Sequence, residues 1–140
     1  MLESLQDPIL GPLHWDDRLQ WWIGEADLTP GRSIEFFISP GDDDPEAVLG
    51  RARTGLERIQ SNHLEYRRWT AVQVVDDRWN TEEDMTVEEI TALLQLASID
   101  FHPDGGAVLY WDDDDRLYGG HNLITELDAD GQCTEVRMEG

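Results

Sequence analysis

From Met85 onward the apolar positions change period in a way that lays out consecutive elements. Val87, Ile90, Leu93 and Leu94 recur at helical spacing, which places them on one side of a short amphipathic helix. Thr86 and Glu89 supply the two halves of a capping box at its start, and Met85 and Ile90 are placed to form the hydrophobic staple beside it. Past Leu96 the period falls to two: Ile99 and Phe101 alternate with Ser98, Asp100 and His102, predicting a strand. Pro103-Asp104-Gly105-Gly106 has the composition of a tight turn, so Ala107 to Trp111 is expected to run back beside that strand. Asn122–Leu127 and Cys133–Met138 form a second predicted hairpin across Asp128-Ala129-Asp130-Gly131.

The first half carries the same two periods. Leu13–Trp15, Leu19–Gly24 and Ser33–Ser39 alternate as three strands, turned at Asp16-Asp17 and at Thr29-Pro30-Gly31-Arg32. Aromatics occupy both parities of these strands, so the sheet is expected to be covered at least partly on both sides. Asp44-Pro45-Glu46 suits a helix start, and Val48, Leu49, Ala52, Leu56 and Ile59 continue it as an apolar stripe. Gly50 and Gly55 each weaken that helix by about 0.5–1 kcal/mol relative to Ala. Asn62 and Glu65 have the spacing to cap a further helix bearing Leu64, Val72, Val75 and Trp79, and whether the two helices are one is open at this level. Asn80 to Asp84 reads as the loop before the last helix. The pattern therefore predicts one α+β domain over residues 1–140: antiparallel sheet or sheets in the order βββ-αα-α-ββββ, with the helices packed on the sheet.

Several local strings are similar to one family. Trp79-Asn80 before an acidic stretch, Met85-Thr86-Val87-Glu88-Glu89-Ile90, Ser98-Ile99-Asp100-Phe101, Asp104-Gly105, Leu117-Tyr118-Gly119-Gly120-His121 and the final Met138-Glu139-Gly140 resemble the bacterial domain of unknown function 2262 family. The resemblance covers mainly the second half and departs from the family pattern by an added glycine before His121. It implies an α+β domain in a bacterium and no established activity.

Charge is the largest compositional deviation: 31 Asp and Glu against 10 Arg and no Lys leave a net −21. Such a field repels phosphate backbones and anionic lipid heads, so neither nucleic acid nor a membrane is expected as a partner. The same field attracts basic proteins and also serves solubility. No apolar run approaches a bilayer span and the N-terminus lacks a signal-peptide pattern, so a cytoplasmic protein is expected. The lone Cys133 agrees, having no partner for a disulfide or a CxxC motif.

Candidate chemistry is sparse. No GxSxG, HExxH, GxGxxG or P-loop string occurs, and His14, His63 and His102 lack an identifiable nucleophile or partner in sequence. The stretch from Asp112 to His121 is the one constellation with ligand chemistry. Asp112, Asp113, Asp114, Asp115, Tyr118, Gly120 and His121 are its candidate binding residues, with Asp112, Asp114 and His121 suited to a divalent cation. The same residues also read as a solvated acidic turn between strands. Trp21 and Trp22 are further candidates for stacking on a partner, or for the core. No organic cofactor is implied. The expected function is a non-enzymatic interaction module for a basic protein, in the manner of an immunity or antidote protein; a divalent-metal enzyme or sensor built on residues 112–121 is the alternative. Edge strands and the Trp-rich hairpin leave a homodimer open.

Overall fold

The computed structural model describes residues 2–77, 85–112 and 122–139. Strands β1 (Leu5–Asp7), β2 (Gly11–Asp16), β3 (Trp21–Thr29) and β4 (Arg32–Ile38) form one antiparallel meander. Strands β5 (Gln95–Phe101), β6 (Ala107–Asp112), β7 (Asn122–Leu127) and β8 (Cys133–Glu139) form a second. The meanders join through β4 and β5, which run parallel with Phe36 beside Ile99 and Ile38 beside Phe101, giving one eight-stranded sheet ordered as in the chain. Helices α1 (Pro45–Asp77) and α2 (Val87–Leu93) lie between the two halves in sequence.

Turn chemistry explains the reversals between β2 and β3, β3 and β4, β5 and β6, and β7 and β8. Thr29 pairs with Arg32 across Pro30-Gly31, where Gly31 takes φ +83 as the second central residue after proline requires. Asp104 Oδ1 accepts from the Gly106 N–H at 2.8 Å, closing the β5–β6 turn. Asp128 Oδ1 accepts from the N–H groups of Asp130 and Gln132 at 2.9 Å each, closing the β7–β8 turn. Asp16 Oδ1 does the same for Arg18 and Leu19, and its tight turn sets Gln20 at φ +59. Leu19 and Gln20 thus belong to the turn rather than to the expected strand, and Leu19 is exposed.

The expected arrangement, antiparallel strands in the order βββ-αα-α-ββββ with helices packed on them, needs correction. The sheet dominates, its order is ββββ-α-α-ββββ, and its central pair is parallel. Three causes account for the difference. β1 is only 3 residues long, too short to show a period. The two middle helices are one helix of 33 residues. Asn62 does not cap a new start but donates back to the Arg58 carbonyl at 2.8 Å inside the turn. The buried stripe runs on through His63, Tyr66 and Thr70, whose polar atoms break the apolar pattern in the sequence without breaking the helix. A crossover carrying two helices then lets β5 lie parallel to β4, which no short turn permits.

Both helix starts follow the sequence signals. Asp44 Oδ2 accepts from the Ala47 N–H at 3.2 Å at the head of α1. Thr86 and Glu89 make the reciprocal capping box at the head of α2. The core lies between α1 and the inward face of the sheet, where Trp22, Phe36, Ile38, Ile99, Phe101, Leu109 and Trp111 meet Leu49, Leu56 and Ile59 of α1 and Ile90 of α2. Phe36 and Phe101 pack edge to face with centroids 5.9 Å apart. Among the described residues no helix is long and apolar enough to cross a membrane.

Candidate functional site

Alternation along β3 separates the tryptophan pair. Trp22 turns inward, 1% exposed, where its ring meets Trp15 edge to face at 5.1 Å and its indole N–H donates to the Glu3 carbonyl at 3.0 Å. Trp21 turns outward and stacks, tilted, on Phe37 of β4 with centroids 4.7 Å apart; both rings are half-buried. The Trp21 indole N–H is enclosed and has no hydrogen-bond partner. Ile23 lies beside Phe37 in the strand register, completing an apolar strip on the outer face.

Carboxylates border this strip. Glu25 stands directly opposite Glu35 across β3 and β4, both exposed, and Asp100 of β5 stands beside Phe37. Directly opposed like charges disfavour a strand pair. The same face has a second such pair, Glu126 opposite Glu135 across β7 and β8, and there Arg137 bridges both, at 2.6 Å and 3.7 Å. Among the described residues no cation bridges Glu25 and Glu35. The outer face of β3 and β4 therefore presents aromatic surface next to two uncompensated carboxylates. Farther along it, Tyr110 donates its hydroxyl to Asp100 Oδ2 at 3.0 Å, and Val108 and Ile124 are buried.

A cleft of about 410 Å³ opens on the opposite side of the molecule, between α1 and the β7–β8 turn. Two of its lining side chains are engaged across it with carbonyls of the β7–β8 turn. Tyr66 donates its hydroxyl to the Gly131 carbonyl at 3.0 Å, and Arg58 Nη1 donates to the Ala129 carbonyl at 3.3 Å. Burial, helped by the nearby Asp128 charge, pushes the Cys133 thiol up to about 11, so the sulfur is a protonated packing group rather than a nucleophile. Burial also raises the Tyr66 phenol. This cleft has the chemistry of a helix–hairpin seam.

Of the residues singled out in sequence, Asp112 ends β6, exposed, on the same outer face and beside Gln95. Asp113, Asp114, Asp115, Tyr118, Gly120 and His121 lie outside the described residues, and with them the rest of the proposed cation set of Asp112, Asp114 and His121. Among the described residues no group of three or more His, Cys, Asp or Glu converges as metal ligands. His14 and His102 are exposed on the surface, and His63 is buried on α1. The Glu25–Glu35 opposition and the contact of Phe37 with Trp21 escape a sequence reading. Both depend on the register between β3 and β4, which alternation alone leaves free to slide.

No curated protein and no solved structure matches the chain. The family model described as "Uncharacterized protein conserved in bacteria (DUF2262)" matches residues 7–138, nearly the whole sequence. The chain is thus a member of the bacterial domain of unknown function 2262 family.

Proposed function

We propose that this chain is a non-enzymatic interaction domain that holds a basic protein on the outer face of β3 and β4, in the manner of an immunity or antidote protein covering a toxin. The observation that carries the reading is the contrast between the two glutamate pairs: Arg137 bridges Glu126 and Glu135, whereas Glu25 and Glu35 are exposed and no cation among the described residues bridges them. A lysine or arginine from a partner supplies the missing charge there, and its stem or guanidinium covers Trp21 and Phe37, which favour cations over their faces. Tryptophan and tyrosine anchors rimmed by polar groups are the usual composition of interface hot spots. The net charge of −21 raises the encounter rate with such a partner at low salt.

The test is capture of proteins from a native bacterial lysate on immobilised wild-type chain, Trp21→Ala and the double variant Glu25→Gln, Glu35→Gln. The wild-type chain is expected to retain a basic protein at low salt and to release it at high salt, and both variants are expected to lose it. Retention of the same protein by all three chains, or of none by the wild type, defeats the reading. Circular dichroism of the variants checks that the sheet is intact.

A further inference from the structure

The arrangement of cations on α1 runs against the composition of the chain. Arg32 opens β4 straight after the Pro30-Gly31 turn. His63 and Arg67 lie one helical turn apart, on the side of α1 that carries Gln60, whose side-chain amide donates to the Asp27 carbonyl of β3 at 2.9 Å. His63 is 8% exposed, and its Nδ1 is enclosed without a hydrogen-bond partner. The Nε groups of Arg32 and Arg67 are enclosed and unpartnered as well. Other arginines are engaged: Arg53 with Asp7, Arg51 with Asp43, Arg68 with Glu88, Arg137 with Glu126. In a chain with 31 acidic residues, two guanidiniums and an imidazole, each with an enclosed nitrogen that has no hydrogen-bond partner, stand on the packed elements β4 and α1 where no described carboxylate pairs with them.

Such a cluster costs stability while it stands alone. Enclosure disfavours the charge on Arg67, and the neighbouring Arg32 adds like-charge repulsion, so its guanidinium is held below the usual arginine range. Enclosure first, then Arg67, does the same to the His63 imidazolium. Unpartnered enclosed donors add a further cost, and one anion seated among them removes all three penalties at once. The donors come from a strand and a helix rather than from one plane, and two arginine forks offer more N–H groups than the two oxygens of a carboxylate accept. A tetrahedral oxyanion accepts from several directions and suits planar guanidinium forks.

We propose that Arg32, His63 and Arg67 form a binding site for a phosphate-class oxyanion, carried either as free phosphate or as the end group of a small phosphomonoester. The site stands on a different face and on different residues from the protein-docking reading, so either is able to fail without the other.

The experiment is titration of the full chain with inorganic phosphate, methyl phosphate and acetate at matched ionic strength. It is followed by calorimetry and by nuclear magnetic resonance of the His63 ring and the arginine Nε groups. Saturable shifts of Arg32, His63 and Arg67 with phosphate or methyl phosphate, and none with acetate, are expected. The stronger of the two phosphates identifies the source. Arg32→Gln and Arg67→Gln are each expected to weaken binding roughly tenfold or more, as loss of a charge-assisted hydrogen bond does. In phosphate-free buffer the same variants should melt no lower than wild type, because each removes an uncompensated charge, and phosphate should raise their midpoint less. Resonances that stay fixed through the titration overturn the proposal. So do variants that bind phosphate as tightly as wild type, variants that melt lower without it, or equal shifts with acetate.

Discussion

Asp7 and Arg53 tie the first turn of the sheet to the long helix. Arg53 Nη2 stands 2.6 Å from Asp7 Oδ2, to which its Nε also donates at 2.8 Å, while Asp7 Oδ1 accepts from the N–H groups of Ile9 and Leu10. The Asp7 side chain is 1% exposed, so the pair fixes α1 against β1 and β2 from inside the molecule. Removing one member of a fully buried pair costs about 3–5 kcal/mol; the Arg53 side chain keeps 28% of its surface in solvent, which screens the pair and brings the loss to about 1–3 kcal/mol. The two amides on Oδ1 place Arg53→Met toward the lower figure. Asp7→Asn with Arg53→Met together should lose less than the two single losses added, as measured by urea unfolding of all four chains.

The same pair gives a pH dependence of defined sign. Burial works to raise the Asp7 carboxyl, but the Arg53 hydrogen bond and the Leu10 and Ile9 amides outweigh it and hold the group below its ordinary 3.8. A carboxyl lowered in the folded state contributes stability that is fully present above its unfolded value and is lost as pH falls through the folded one. The stability gap between wild type and Asp7→Asn should therefore be level at neutral pH and narrow below about pH 4. A gap that stays level in unfolding measurements down to about pH 3 contradicts this account.

Gly50 and Gly55 sit in the same helix and should respond oppositely to alanine. A Cβ on Gly50 would find only Arg53 Nη1, at 4.0 Å. A Cβ on Gly55 would lie 2.9 Å from Phe101 Cε1. Gly50→Ala should stabilise by about 0.5–1 kcal/mol through helix propensity. Gly55→Ala should destabilise by about 1–3 kcal/mol, since the clash with a packed core ring outweighs the same propensity gain. Thermal midpoints of the two variants, moving in opposite directions, check the pair of statements. Gly55 thus marks where α1 touches the sheet, although in sequence it reads as a weakness equal to Gly50.

Gly131 separates backbone strain from steric clash. It holds φ +81 in the β7–β8 turn, and a Cβ there would lie 2.1 Å from Arg58 Cδ. Gly31 holds φ +83 with no atom within 4 Å of its Cβ position. Gly31→Ala should then cost only the left-handed strain, about 1–2 kcal/mol, and Gly131→Ala should cost more. In an Arg58→Ala background the Gly131→Ala cost should fall to the Gly31→Ala value. A cost unchanged by removing Arg58, in a double-mutant cycle of unfolding free energies, would show that the clash is relieved some other way.

Much of the fold is legible from local chemistry and little of the candidate surface is. The capping box at Thr86, the cap at Asp44 and the turns closed by Asp104 and Asp128 are satisfied by side chains within a few residues, so the sequence carries them directly. The continuity of α1 is hidden because His63 and Thr70 interrupt its apolar stripe, yet both are buried and hold their places in the helix. The parallel pairing of β4 with β5 depends on contacts across the whole crossover and leaves no local mark. For the same reason the opposition of Glu25 and Glu35, and the approach of Arg32 to Arg67, emerge only from register and packing.

Thr125 organises a hydrogen-bonded trio inside this packing, and its removal offers the sharpest test of the β6–β7–α1 contact. Trp111 Nε1 donates to Thr125 Oγ1 at 2.9 Å, and the Thr125 hydroxyl also meets that of Thr70 on α1, which in turn contacts the Tyr66 carbonyl at 2.8 Å. Thr70 and Thr125 are 0% exposed and Trp111 is 2% exposed, so no water is at hand to replace a lost partner. Thr125→Val keeps the volume nearly constant and deletes only the hydroxyl. It leaves the indole N–H of Trp111 unmatched, at a cost of about 1–3 kcal/mol for a buried orphan donor. Thr70→Val keeps the Trp111 bond intact and should cost less. Unfolding measurements should therefore rank wild type above Thr70→Val and Thr70→Val above Thr125→Val, and Trp111→Phe should cost less in the Thr125→Val background than in wild type, because only in wild type does it also break the indole hydrogen bond.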